Sequence, residues 1–340
     1  MLKLNDHLGS YHQVAENALR NVFSEKDFPL YRLMQYQMGW IDELGNEEYL
    51  NPDFSRLHAS LVLMACEAVG GDLRSAAPAA VSVELLNQFV QVHTDIQEGS
   101  QDRYGRSTLW WVYGPAQAIN VGDGLHAMAR MSLMQYPRCF DTDEKTLRAL
   151  AILDNASLRT LEGLHQELVY QERVDISTEA YLKMSKEKIG ALIGCALELG
   201  ALSGGSSEDE CEIFRKIGEE LGVALQVQED LQMIWGDPLS GKRRGSDLLN
   251  KKKGYPIIYT LEEAALSVKR EIGTMFFKRV LDADDLDQLV GILDDLEVRK
   301  SVKSKIDELC DSAIHQLSKV AKGDLLPLES LFSWIALRGE

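Results

Sequence analysis

At 340 residues, 45% of them hydrophobic, the chain carries enough apolar material for one large core. Its net charge of −17, from 53 acidic residues against 36 Lys and Arg, argues against a nucleic-acid partner and against electrostatic attachment to anionic lipid. No run of about 18 apolar residues exists to span a membrane, so it does not read as an integral membrane protein.

Five widely spaced cysteines (Cys66, Cys139, Cys195, Cys211, Cys310) contain no C-x-x-C pair and read as free thiols in a reducing cytoplasm. The opening MLKLNDHLGSYHQ lacks the apolar core of a secretory signal. No linker, repeat or low-complexity tract marks a boundary, so residues 1–340 read as a single domain.

In chain order, the pattern predicts a first helix over residues 9–24 and a polar stretch from Asp42 to Asp53. A helix over Leu57–Val69 follows and stops at Gly70-Gly71. The next helix begins near Ala79 and runs to Glu98, ending in ELLNQFVQVHTDIQEGSQDRYGRSTLWW. Its apolar face leads into His93, Thr94, Asp95 and Glu98; residues three or four apart share a helix face, which places carboxylates at the mouth of an apolar groove. Arg103 and Arg106 lie just past the turn at Gly99 and Ser100. Such a grouping suits an anionic head group, a hard cation bridging it and an apolar tail.

Ala116–Leu133 is the following helix, with Gly122 and Gly124 flanking Asp123 and with Asn120 and Asp123 as packing and polar support. Asp141–Val169 and Thr178–Ser203 are long helices, and Gly163 and Gly190 suggest close crossings. Ser207 and Glu210 form a capping-box pattern ahead of another apolar helix. This one also ends in acids, Glu229 and Asp230, followed by the basic segment GDPLSGKRRGSDLLNKKKGYP. Shorter helices continue to Leu328–Leu337. Period-two alternation is absent throughout, so the fold is predicted to be all-α, about a dozen helices around a central cavity.

The two acid-ended helices, ELLNQFVQVHTDIQEG and LGVALQVQEDLQMIWGDPLSGKRRGSDL, together with LVLMACEAVGGD, AINVGDGLHA, LEGLHQEL and MSKEKIGALIG in the same order, resemble the polyprenyl synthetase (trans-isoprenyl diphosphate synthase) family. The resemblance runs through residues 25–265. It implies the isoprenoid synthase fold, a homodimer, and an allylic prenyl diphosphate held by Mg2+ on two aspartate-rich motifs. Mapped residue by residue, the metal positions carry Thr94, with Asp95 beside it, then Glu98 and Glu229 followed by Asp230. The resemblance implies catalytic roles for Asp95, Glu98, Glu229 and Asp230, and metal ligation by Asp95, Glu98 and Glu229. It assigns the substrate's diphosphate to Arg103, Lys188, Lys242 and Lys253, and the tail to Phe89, with Tyr104 beside the substrate.

On the acceptor side, the positions that grip isopentenyl diphosphate in the family are Ser55, His58, Asn87 and Tyr104, with Arg56 as a remnant. Three cations are therefore lost from one anion site, each charge-assisted hydrogen bond being worth about 1.5–3 kcal/mol. A retained donor clamp and an eroded acceptor clamp point to a class I terpene synthase that ionises one farnesyl or geranylgeranyl diphosphate. The aromatics could then stabilise the cation. Two alternatives stand beside it. One is a chain-elongating prenyl diphosphate synthase. The other is a catalytically silent subunit in a heteromer with an active synthase, which Thr94, Leu164 and Ile189 favour. His93 and His165 read as polar packing rather than metal ligands, because no second His or Cys stands at metal spacing.

Overall fold

Helix formation follows the apolar periodicity almost everywhere. A computed structural model describes residues 4–47, 56–134, 140–173, 175–238, 240–278, 280–320 and 322–338, with side chains from residue 8 onward. The first part of the chain forms α1 (Leu4–Phe23), α2 (Pro29–Gln37), α3 (Leu57–Ala68), α4 (Leu73–Glu98), β1 (Asp102–Arg103), β2 (Arg106–Ser107), α5 (Leu109–Tyr113), α6 (Pro115–Met134) and α7 (Asp143–Gln171). There follow α8 (Thr178–Ser185), a π-helical turn (Lys186–Gly190), α9 (Ala191–Ser203) and α10 (Glu208–Trp235). Last come α11 (Ser246–Leu249), α12 (Tyr255–Glu263), α13 (Leu266–Phe277), α14 (Ala283–Asp295), α15 (Val298–Val320) and α16 (Leu326–Leu337). The predicted all-α class is what the chain adopts, with one two-residue antiparallel pair as the exception among the described residues.

The α-carbon packing divides the chain into two units, residues 1–158, 192–218 and 316–331 in the first and the remainder in the second. In the first, α3 is apolar all round and almost wholly buried, and α4 packs on it and on α6. Gly200 of α9 lies against the Val62 carbonyl of α3, where a Cβ would strike backbone. A buried polar knot closes this core from the side. Glu16 accepts Arg56 Nε at 3.0 Å and Trp40 Nε1 at 2.5 Å, and Arg56 Nη2 reaches the Met38 carbonyl at 2.6 Å.

α4 begins six residues earlier than its predicted start. Asp72 caps it by accepting the Arg74 N–H, and Pro78 is tolerated inside because it stands in the second turn, where the lost hydrogen bond is near the helix end. Ser207 and Glu210 make the anticipated capping box on α10, Ser207 N–H donating to Glu210 at 2.9 Å and Glu210 N–H to Ser207 Oγ at 3.4 Å.

The second unit is built on the end of α7, α8, the π turn, the second half of α10, α11–α14, most of α15 and the end of α16. Three glycines let its backbones approach. A Cβ at Gly163 would meet Lys188 backbone, one at Gly190 would meet Glu219, and one at Gly222 would meet Gly190. The expected continuous helix from Thr178 to Ser203 is thus interrupted at its centre, where the chain winds as a π turn. No helix among the described residues is long and apolar enough to cross a membrane.

Candidate active site

The end of α4 is fixed by local chemistry. Gly99 adopts the left-handed conformation (φ 65°) that closes a helix, and the Ser100 N–H returns to the Asp95 carbonyl at 3.0 Å. The chain then reverses through Tyr104-Gly105, both at positive φ (54° and 72°), as a two-residue hairpin demands. A bulky aromatic rarely takes this conformation. Thr108 Oγ1 and Trp110 Nε1 each donate to the Ser100 carbonyl at 2.7 Å and hold the hairpin's base. Sequence reading missed this hairpin, because two-residue strands leave no period-two pattern to detect.

The hairpin's product is Arg103. Its Nε and Nη2 both donate to Asp95 Oδ1, at 3.0 and 2.5 Å, and both side chains are nearly buried. Burial alone would lower the Arg103 pKa; the Asp95 carboxylate overrides it and holds the guanidinium charged. Arg106 points elsewhere, to the Tyr36 and Ile41 carbonyls at 3.2 and 2.8 Å, with its guanidinium over the Tyr36 ring. It is a structural arginine. Glu98 stays half-buried and accepts Ser100 Oγ at 3.3 Å; Thr94 is half-buried on the same helix end.

Phe89 is buried between two imidazoles, 4.7 Å from the His93 ring and 5.0 Å from that of His126. Gly122 is required here, since a Cβ would strike the His93 ring. Asp123 lies 3.8 Å from His93 Nε2 but is mostly exposed, and Asn120 is exposed too, so the packing role expected of them belongs to Gly122. Of the acceptor positions, Ser55 lies outside the described residues. Burial pushes the His58 pKa down and favours its neutral form. Arg56, expected as a remnant anion binder, is instead consumed by Glu16 and Met38 with Trp40 at its face, only 2% exposed.

In the second unit, Asp230 is the most committed acid. Its Oδ2 accepts Tyr181 OH at 2.5 Å and the Tyr255 N–H at 2.8 Å, and its Oδ1 accepts Gln226 Nε2 at 2.8 Å. Burial pushes its carboxyl from 3.8 up to about 6, against the pull of those hydrogen bonds. The native chain therefore binds more protons than the unfolded chain between these values, so this contribution to stability is present in acid and lost as pH rises through about 6. The melting temperature of Asp230→Asn, relative to the parent, should accordingly climb between about pH 4 and pH 7.5. A flat difference overturns the argument. Its neighbour Glu229 is half-buried and accepts the Ser240 N–H at 3.0 Å.

The cations that follow α10 do not act alike. Lys242 pairs with Asp247 at 3.3 Å. Lys253 turns to the Gln171 and Tyr170 carbonyls at 2.7 and 3.4 Å with Phe276 beneath it, and burial, then Lys251, lower its pKa. Lys252, which sequence reading passed over, is the one that joins Lys188. Both reach Glu167, at 3.3 and 2.6 Å. Glu167 was also missed, although a signal existed. It stands four residues after Gly163 on the same face of α7.

Glu167, Tyr181, Asp230, Asp247, Lys252 and Lys253 line a cavity of about 530 Å3, counting space open to solvent, whose remaining walls are largely apolar. A concavity with an apolar floor and convergent cations suits an amphipathic anion.

The expected Mg2+ on Asp95, Glu98 and Glu229 would meet ligands of the right chemistry, since carboxylate oxygens suit a hard cation. Among the described residues, however, no three acidic, His or Cys side chains are gathered to hold a metal. Asp95 is engaged by Arg103 and Asp230 is saturated by three donors. Glu98 and Glu229 keep the carboxylates whose oxygens suit such an ion, and no step below passes through it.

The sequence matches the polyprenyl synthetase profile over residues 46–293. It is 32% identical over 265 residues to (2E,6E)-farnesyl diphosphate synthase of Mycobacterium tuberculosis, covering 77% of this chain and 72% of the relative. Geranylgeranyl diphosphate synthase of the same organism is 29% identical over 306 residues, 89% and 86% of the two chains. A polyprenyl synthetase from Streptomyces coelicolor A3(2) shares the fold with a TM-score of 0.86, at 29% identity over 98% of each chain.

Proposed function

Because the chain belongs to the polyprenyl synthetase family, we propose that it is a prenyltransferase that extends an allylic prenyl diphosphate with isopentenyl diphosphate. One observation carries this reading, the 32% identity to a farnesyl diphosphate synthase over three quarters of the chain. It was the alternative to the sequence-based expectation. The terpene synthase expected first finds no counterpart in the names of these relatives.

The residues of this chain would act as follows. Lys188 and Lys252 exchange Glu167 for the departing diphosphate, a polyanion that can outbid one carboxylate. Lys242 and Lys253 add positive charge around it, and Arg103 is proposed as a diphosphate residue on the family resemblance alone. Apolar walls keep water from the allylic cation left behind. Buried Phe89, wedged between His93 and His126, limits the depth available to the tail and favours farnesyl or geranylgeranyl lengths. Mg2+ supplies leaving-group neutralisation in chemistry of this kind. A need for it is proposed here on family membership alone, and turnover that survives EDTA overturns that need.

A second reading keeps one specific observation in its favour. Arg56 is locked into Glu16, so the acceptor side lacks a cation the sequence had left to it; a single-substrate terpene synthase would not miss it. Incubation with farnesyl diphosphate, with and without isopentenyl diphosphate, separates the two by product mass. A longer diphosphate supports elongation, and a hydrocarbon or alcohol from one substrate supports the second reading. No turnover at all overturns both and favours the silent subunit.

We also propose a homodimer acting in the cytoplasm. Ile119, Met131 and Met134 are exposed apolar side chains on α6, and Cys66, Cys195, Cys211 and Cys310 are buried and form no disulfide. Light scattering that returns a monomer mass ends the dimer proposal.

A further inference from the structure

Three charged side chains from outside it, Arg159, Glu167 and Glu219, grip the π turn Lys186–Gly190, and the steps above use only Glu167. On α7, Arg159, Gly163 and Glu167 recur every four residues and share one face. Each meets the turn in its own way. Arg159 donates Nε to Glu187 and Nη1 to Glu219, both at 2.6 Å. Gly163 leaves room for the Lys188 backbone, and Glu167 accepts Lys188 Nζ at 2.6 Å.

From α10, Glu219 also takes Lys186 Nζ at 2.9 Å, and Gly222, three residues further on, admits the Gly190 backbone. The Glu219 side chain is only 2% exposed, so its charge depends on these partners. Burial works against that charge, and the hydrogen bonds from Arg159 and Lys186 win, leaving its pKa below the ordinary value.

A π turn is a rare and strained winding that needs support. Relaxed to an α-helix, its register would slip by one residue and swing Lys188 by about 100° around the axis, away from Glu167. Resting on the reading that Lys188 holds the diphosphate, we infer that the Arg159–Glu219 pair is a positioning device. It clamps the π turn between α7 and α10 and so aims Lys188 at the Glu167 carboxylate on the cavity wall. Arg159 itself touches no substrate.

The test titrates inorganic pyrophosphate into the full-length parent, Lys188→Ala, the charge-free pair Arg159→Met/Glu219→Met, and the triple variant. Amide hydrogen exchange across residues 186–190 is followed in each. Replacing both by apolar side chains of similar volume removes the buried Glu219 charge together with its arginine, and the two charges that lose a partner, Glu187 and Lys186, are solvent-accessible, so folding is retained. Lys188→Ala and the charge-free pair should each weaken pyrophosphate binding about tenfold. The triple variant should be no weaker than either, and exchange across 186–190 should rise in the charge-free pair.

Parental affinity with parental exchange in the charge-free pair overturns the inference, and so does an additive loss in the triple variant. Should Lys188→Ala bind pyrophosphate like the parent, the role given to Lys188 falls. The exchange rates then judge the clamp by themselves, a rise supporting it and parental rates overturning it.

Discussion

Arg103→Ala should melt about 4–7 °C below the parent and bind inorganic pyrophosphate about tenfold more weakly. The two losses have separate causes. Asp95 is 3% exposed, and its Oδ1 takes both Arg103 donors, so removing the arginine strands a charge in the core. Breaking one side of a buried ion pair costs about 3–5 kcal/mol. Arg103→Met/Asp95→Leu removes both charges and should recover the melting temperature while leaving pyrophosphate binding weak. If the double variant melts as low as the single one, the hairpin arginine matters for packing and not for compensating Asp95. Parental pyrophosphate affinity in Arg103→Ala would remove the residue from the clamp.

Glu98→Ala and Glu229→Ala should each lose about 100-fold or more in turnover at nearly parental stability. Asp95→Ala and Asp230→Ala should lose stability first. This split follows from a repeated division of labour. Each acid-ended helix carries one buried aspartate engaged from within, Asp95 by Arg103 and Asp230 by Tyr181, Tyr255 and Gln226. Each also carries one glutamate that remains half-buried. The aspartates build the helix ends; the half-buried glutamates are the positions to which the family resemblance assigns the metal. Thermal unfolding alongside steady-state kinetics of the four variants checks it. Equal destabilisation across all four would dissolve the distinction between the two pairs.

The sequence made the helices legible because their apolar faces recur with the helical period, and the capping box at Ser207 and Glu210 stood in plain view. It also made the acid-ended helices visible as a pair. What it concealed was commitment. Tyr181 and Tyr255 lie far from Asp230 in the chain, so no local spacing announces that its oxygens are spoken for. Arg56 read as a remnant of the acceptor anion site, but Glu16 and Trp40 enclose it. Among Lys251, Lys252 and Lys253 the loop offers no period to choose by, and Lys252 was passed over for its neighbour. The start of α4 was missed because Pro78 reads as a breaker, although it falls early enough to be harmless.

Glu167, shared by Lys188 and Lys252, gives the cavity a threshold. With its own counter-ion in place the proposed site should be quiet toward chloride or a single carboxylate, which offer nothing the glutamate does not already provide. Only a guest carrying several negative charges on closely spaced oxygens would gain by evicting it. Selection for diphosphates over the cell's abundant monovalent anions would then arise from competition inside the protein, before any contact with the prenyl tail.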